Sequence, residues 1–200
     1  MLGSEHDTVD FLIPGASLSQ LKSDNVLFPR RGYSWNVDLH GAPGAISATR
    51  FVRADATLRG VYPVGRHARL IGRTELGATT VEDFSNLPAT QRFFAGGDQS
   101  VRGYEYQSLS PVDATGDVVG GEYLAVGSIE LDYLFVGNFG AAVFVDSGNA
   151  ADDFLPSPKT GAGIGFRWRS PVGMLRIDIA HPFDDSSDNY RLHISIGPSL

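Results

Sequence analysis

The sequence predicts an all-β chain that crosses a membrane as part of an antiparallel transmembrane β-barrel. Apolar and polar residues alternate with period two along nearly its whole length, and helical periodicity is almost absent. Tight turns alternate with long polar connections, the pattern of barrels whose turns face the periplasm and whose loops face outward. Although 42% of the residues are hydrophobic, no stretch approaches the roughly 20 uninterrupted apolar residues that a spanning helix requires.

Taken in order, a first strand falls within residues 9–21, where Pro14 and Gly15 interrupt the alternation. Tyr33, Trp35, Val37 and Leu39 then oppose Ser34, Asn36, Asp38 and His40. Val52, Ala54, Ala56 and Leu58 oppose Arg53, Asp55, Thr57 and Arg59, and Leu70, Gly72, Thr74 and Leu76 oppose Arg69, Arg73 and Glu75. The pattern is fullest over 123–135. Tyr123, Ala125, Gly127, Ile129, Leu131, Tyr133 and Phe135 share one face, and Leu124, Val126, Ser128, Glu130, Asp132 and Leu134 the other. Asp146 follows on the side opposite Val143 and Val145. Later, Ile164, Phe166 and Trp168 oppose Arg167 and Arg169; Leu175, Ile177 and Ile179 oppose Arg176 and Asp178; Leu192, Ile194 and Ile196 oppose Arg191, His193 and Ser195. About nine strands result, each near the 9–11 residues of a tilted bilayer crossing.

Residues 136–138 and 170–173 form tight turns, while 149–160, 182–189 and above all 84–120 form long loops. Tyr62, Tyr133, Phe135 and Trp168 stand beside the short turns, where amphipathic rings suit a lipid interface. A soluble β-sandwich or a lipocalin-like barrel would also alternate. Such a domain seldom carries so many small residues and so many Arg, Asp and Glu on its polar face, so the pattern favours the membrane barrel.

Charge and composition exclude several functions. A net charge of -7 and a pI near 5.1 argue against nucleic acid as a partner, because phosphates demand a basic surface. Cysteine is absent, so there are no disulfides or thiolate metal sites. No Gly-x-Ser-x-Gly, His-Glu-x-x-His or phosphate-binding glycine loop occurs, so no catalytic, cofactor-binding or metal residues are assigned. His181 with Asp184, Asp185 and Asp188 reads as a solvated acidic loop, and His40 and His193 read as hydrogen-bonding residues of the polar face. The many glycines read as strand flexibility. The chain opens without the charged start and apolar core of a signal peptide, and is expected to be a fragment of a longer exported protein.

The longest loop carries Arg92-Phe93-Phe94-Ala95-Gly96-Gly97-Asp98-Gln99-Ser100-Val101-Arg102-Gly103-Tyr104, then Glu105-Tyr106-Gln107-Ser108-Leu109. This resembles the signature loop of the BamA and TamA superfamily of outer-membrane assembly and translocation barrels, the bacterial surface antigen family. Gly127-Ser128-x-Glu130, Phe144-x-Asp146-x-Gly148-Asn149 and the run 161–173 match the motifs that follow in that family. The form of the loop and the closing Gly197-Pro198-Ser199-Leu200 are more similar to the TamA branch, since BamA usually closes on an aromatic residue. The resemblance runs from about Asn25 to the end of the chain.

The resemblance implies that residues 1–200 are the C-terminal part of one barrel domain in the bacterial outer membrane, the later half of a sixteen-stranded barrel. It implies that loop 84–120 folds back into the lumen, where Arg102 meets Glu130 and Asp146. Val101, Gly103 and Tyr104 complete this loop-lock motif, with Gly103 admitting close approach to the wall and Tyr104 packing on it. Leu192, Ile194, Ile196 and Leu200 would form the C-terminal assembly signal. The implied function is a TamA-like subunit, without chemistry or cofactor, that helps insert or secrete outer-membrane and autotransporter polypeptides. Its partners would be those unfolded polypeptides, the lipid bilayer and an inner-membrane-anchored TamB-like protein. A BamA-type insertase, the barrel of a patatin-like phospholipase and a passive porin are the alternatives.

Overall fold

A computed structural model describes residues 12–44, 49–185, 189–198 and 200. Among the described residues, nine strands form one antiparallel sheet in sequence order: β1 (Gly15–Ser23), β2 (Gly32–Ala42), β3 (Phe51–Val64), β4 (Ala68–Val81), β5 (Tyr123–Val136), β6 (Phe139–Ala151), β7 (Lys159–Ser170), β8 (Gly173–Pro182) and β9 (Arg191–Gly197). Each strand therefore pairs with its chain neighbours, the meander that hairpin connections dictate. The β3–β4, β5–β6 and β7–β8 turns lie at one end of the sheet, together with the longer connection 24–31. The opposite end carries the long connections, of which 82–122 is the longest. We call these the turn end and the loop end.

Parity along the strands matches the alternation. Ile129, Tyr133, Phe135, Val143, Val145, Ile164, Ile179, Ile194 and Ile196 are exposed, whereas Glu130, Asp132, Asp146, Arg167 and Asp178 are buried. A water-soluble protein would place these sets the other way round. An outer face of exposed aliphatic and aromatic side chains around a buried ionic interior belongs to a sheet solvated by lipid. Aromatic stacking of Phe139 with Phe166 and Trp168, at centroid distances of 5.9 and 6.3 Å, lines the outer face near the turn end.

Three features differ from the sequence expectations. β1 starts at Gly15, so Pro14 and Gly15 stand at its entrance rather than inside it, where Pro would remove a ladder donor; residues 9–11 lie outside the described residues. β3, β4 and β5 each run for 14 residues, longer than a bilayer crossing requires, because their ladder pairing continues up to the hairpin turns. β9 ends at Gly197, whose φ of 145° and following Pro198 leave the strand path. Leu192, Ile194 and Ile196 stay on the outer face, but Leu200 lies beyond the ladder, with its side chain against Gly32 at the start of β2. The sheet thus curls enough to bring Leu200 against the β1–β2 connection's end at Gly32, at the turn end.

Ile177 shares the outer face with its cross-strand partners Phe166 and Ile194. Arg at such a position costs about 2–4 kcal/mol at the bilayer midplane. Ile177→Arg is expected to lower the folded, heat-modifiable fraction in membranes sharply, and Ile177→Leu to leave it unchanged. Equal folded fractions would place this face away from lipid.

Candidate functional site

The long connection between β4 and β5 folds back over the inner face of the sheet. Phe93, Ala95, Val101, Tyr104 and Leu109 of the loop bury themselves against Leu124 and Val126 of β5 and Ala150 of β6. This apolar contact anchors the loop and removes water from the charged residues beside it, which strengthens their attraction.

Arg102 sits at the centre. Its Nε and Nη2 donate to the two oxygens of Asp146 at 2.7 and 2.9 Å, and its backbone N–H donates to Oδ2 at 3.0 Å. Nη1 donates to Glu130 Oε2 at 2.7 Å and to Asp178 Oδ2 at 2.9 Å. The guanidinium lies over the Phe144 ring, 3.4 Å from its centroid. Burial alone would disfavour the charge on Arg102, but the Asp146 hydrogen bonds and the surrounding carboxylates outweigh it, so the group is held more firmly protonated than in water. One planar fork thus joins strands β5, β6 and β8 to the loop, which a point charge on a flexible stem could not do.

The ion network extends along the inner face. Arg167, on β7, pairs with Glu130 Oε1 through Nη2 at 3.0 Å and with Asp132 Oδ1 through Nε at 3.0 Å, and Nη1 donates to Asp178. Arg69 completes the row, donating to Asp132 Oδ2 from Nε at 3.0 Å and from Nη2 at 2.7 Å. Three arginines therefore interleave with Glu130, Asp132, Asp146 and Asp178, each carboxylate facing at least one guanidinium. Sequence parity puts Arg167 and Asp178 on the inner face but does not join them to Arg102. The missing information is the curl of the sheet.

Gly161, Gly163 and Gly165 of β7 correct the reading of these glycines as strand flexibility. A Cβ at Gly161 would strike the Arg102 carbonyl, one at Gly163 the Phe144 ring beneath the guanidinium, and one at Gly165 the Arg167–Asp178 pair. The alternating glycines form a slot for the loop and its ion pairs.

Gly103 has φ of 101°, a left-handed conformation that only glycine adopts cheaply, and it lies against the backbone of His181 and Pro182. Its N–H donates to His193 Nε2 at 3.0 Å, while His193 Nδ1 bonds Asp98 of the same loop. The Tyr104 hydroxyl donates to the Thr160 carbonyl and accepts from the Asp184 N–H, both at 3.2 Å. Asp184 also accepts from the Thr160 N–H at 2.7 Å. His40 bonds Asp38 and, through Nε2, Gln91 of the loop at 2.9 Å; Arg53 meets Asp55 at 3.3 Å alongside. Val101, Arg102, Gly103, Tyr104, Glu130 and Asp146 are thus brought together in one place. Leu192, Ile194 and Ile196 lie apart on the outer face of β9, and Leu200 at the turn end.

Comparison with known proteins bears on the family and the fold. The Omp85 superfamily domain matches residues 4–199. The outer membrane protein assembly factor BamA of Nitratidesulfovibrio vulgaris is 31% identical over 146 residues, which are 69% of this chain and 18% of that protein. The chain therefore spans less than a fifth of the length of that relative. Among solved structures, BamA from Haemophilus ducreyi lacking POTRA domains 1–3 superposes with a TM-score of 0.74 over 92% of this chain and 42% of that one, at 22% identity. That structure speaks for the fold.

Proposed function

Because the chain belongs to the Omp85 superfamily, we propose that it forms part of a TamA-type subunit that helps insert or secrete outer-membrane and autotransporter polypeptides. The observation that carries the reading is the in-folded loop, held by Arg102 on three strands at once. A passive porin needs an open lumen, whereas here buried side chains fill the inner face of β5 and β6. The chain lies in the outer membrane, where its outer face meets lipid. Residues 1–200 are read as the C-terminal part of one sixteen-stranded barrel domain, acting through positioning and strand pairing and without a cofactor.

In this reading Arg102 with Glu130 and Asp146 locks the loop inside, while Leu192, Ile194, Ile196 and Leu200 serve as the C-terminal assembly signal. Unfolded outer-membrane or autotransporter polypeptides are the clients, and an inner-membrane-anchored TamB-like protein is the partner. The loop form around Gly96–Leu109 and the closing Gly197-Pro198-Ser199-Leu200 support the TamA branch. A BamA-type insertase is the second reading, favoured by the 31% identity to a BamA. Depletion of the full-length protein separates them. The TamA-type reading expects surface autotransporters to fall while the major trimeric porins stay near normal. A collapse of all outer-membrane proteins would replace it with the insertase, and no change in either class would overturn both.

A further inference from the structure

The net negative charge is unevenly placed. Connections at the loop end carry Glu82, Asp113, Asp117, Glu122, Asp152 and Asp153, among others. The turn-end connections carry Arg30, Arg31 and Arg66, with Arg169 on the adjoining end of β7. Connection 24–31 tucks under the turn end of the sheet. Pro29 is fully buried and its carbonyl accepts from Arg69 Nη1 at 2.6 Å, Arg30 Nη2 donates to the Gly65 carbonyl at 3.1 Å, and Phe28 lies under the Arg169 guanidinium at 5.7 Å.

Beside these contacts lies a cavity of about 180 Å³ lined by Arg30, Arg66, His67, Arg69, Arg167 and Arg169, together with aromatic Tyr133 and Phe135. Among the described residues, Asp132 is the one carboxylate in that lining, and Arg69 and Arg167 already occupy both of its oxygens. Asp24, the nearby acid of connection 24–31, spends its carboxylate on the backbone N–H groups of Arg30 and Arg31 at 2.9 and 3.1 Å. Arg169 Nε is buried without a hydrogen-bond partner. An unpartnered buried donor among several cations is costly and invites an anion.

We propose that this turn-end cavity is a binding site for carboxylate side chains of an acidic polypeptide segment. Three arguments choose that occupant. Four of the cavity's lining groups, Arg69, Asp132, Arg167 and Arg169, stand on the inner-face parity of their strands, opposite the lipid-facing Tyr133 and Phe135. Its size admits a carboxylate end and a few waters, and no folded element. Its guanidinium groups can grip a carboxylate through two parallel N–H···O bonds, which an ammonium cannot. Any partner placing an Asp- or Glu-rich stretch at the turn end would dock here, and the acidic loop end would repel it. The site is independent of the assembly reading, because a barrel that assembled nothing would still present it.

The test uses the purified full-length protein in nanodiscs of neutral lipid and a fluorescein-labelled octaglutamate peptide, read by anisotropy. Wild type is expected to bind the peptide with an affinity that falls steeply between 50 and 200 mM salt, and not to bind octaglutamine. The pair Arg66→Gln with Arg30→Gln should weaken binding at least tenfold, whereas Arg50→Gln at the loop end should leave it unchanged. Heat-modifiable mobility confirms that each variant is folded. Arg169→Gln, tested separately, should weaken binding as well. Absence of binding by folded wild type, or equal binding by the folded double variant, overturns the proposal. It is overturned equally if the variants leave the peptide unaffected and lose only retention of phosphatidylglycerol, which would make the cavity a lipid site.

Discussion

Arg102→Ala is expected to free the signature loop from the inner face while leaving the barrel inserted. The substitution removes every bond that the Arg102 side chain makes to Asp146, Glu130 and Asp178, in a site where Arg102 is only 7% exposed. Deleting one partner of a buried ion pair leaves the other uncompensated, at a cost of about 3–5 kcal/mol. Arg167 still faces Glu130 and Asp178, so the wall keeps part of its charge balance, and the loss falls mainly on the loop. Arg102→Lys should recover only part of it, because an ammonium cannot serve the bidentate bond to Asp146 and the bonds to Glu130 and Asp178 together. The measurement is labelling of a cysteine at Ser100 by a membrane-impermeant reagent in intact cells, alongside client assembly in the same strains. Labelling and client assembly both equal to wild type in Arg102→Ala would remove the lock from the account.

Arg167→Gln should act on the barrel itself. Its side chain is 1% exposed and faces Glu130, Asp132 and Asp178 on β5 and β8, so its loss strands negative charge on two strands of the wall. Arg102 keeps Glu130 Oε2 and Asp178 Oδ2, and Arg69 keeps Asp132 Oδ2, but Glu130 Oε1, Asp132 Oδ1 and Asp178 Oδ1 lose their guanidinium. The expected result is a larger fall in folded, heat-modifiable protein than for Arg102→Ala, again about 3–5 kcal/mol of lost stability but located in the sheet. Adding Asp178→Asn should return part of the folded fraction, since residues in one ionic network are not additive. If the double variant is no better folded than Arg167→Gln, the pair across Gly165 contributes nothing to barrel stability.

The cavity at the turn end and the arginine clamp also differ in how far the sequence exposes them. Face parity is a local property of a strand, because successive side chains alternate whatever the strand pairs with. It places Glu130 and Asp132 inward on β5, Asp146 inward on β6, and Ile164 and Ile179 outward, directly from 2-residue spacing. The Arg102-Gly103-Tyr104 element is legible for a different reason, its resemblance to a family loop. Parity cannot give distance around the sheet. Asp178 lies far along the chain from Arg102, and only the curl that brings β8 over β5 closes that gap to 2.9 Å.

What the sequence determined by itself is therefore the class of structure: an outer face for lipid, a charged inner face, turns at one end and loops at the other. The strand ladder and the alternation that produce these are short-range. Only the tertiary structure decided which arginine meets which carboxylate, that the glycines of β7 are a slot for the loop, and that His193 on the last strand holds Gly103 and Asp98. It alone also places Arg30, Arg66 and Arg169 around one cavity at the turn end. Each of these depends on register and curvature summed over several strands. A single strand's pattern carries neither quantity, because its period fixes which way a side chain points but not what it will find there.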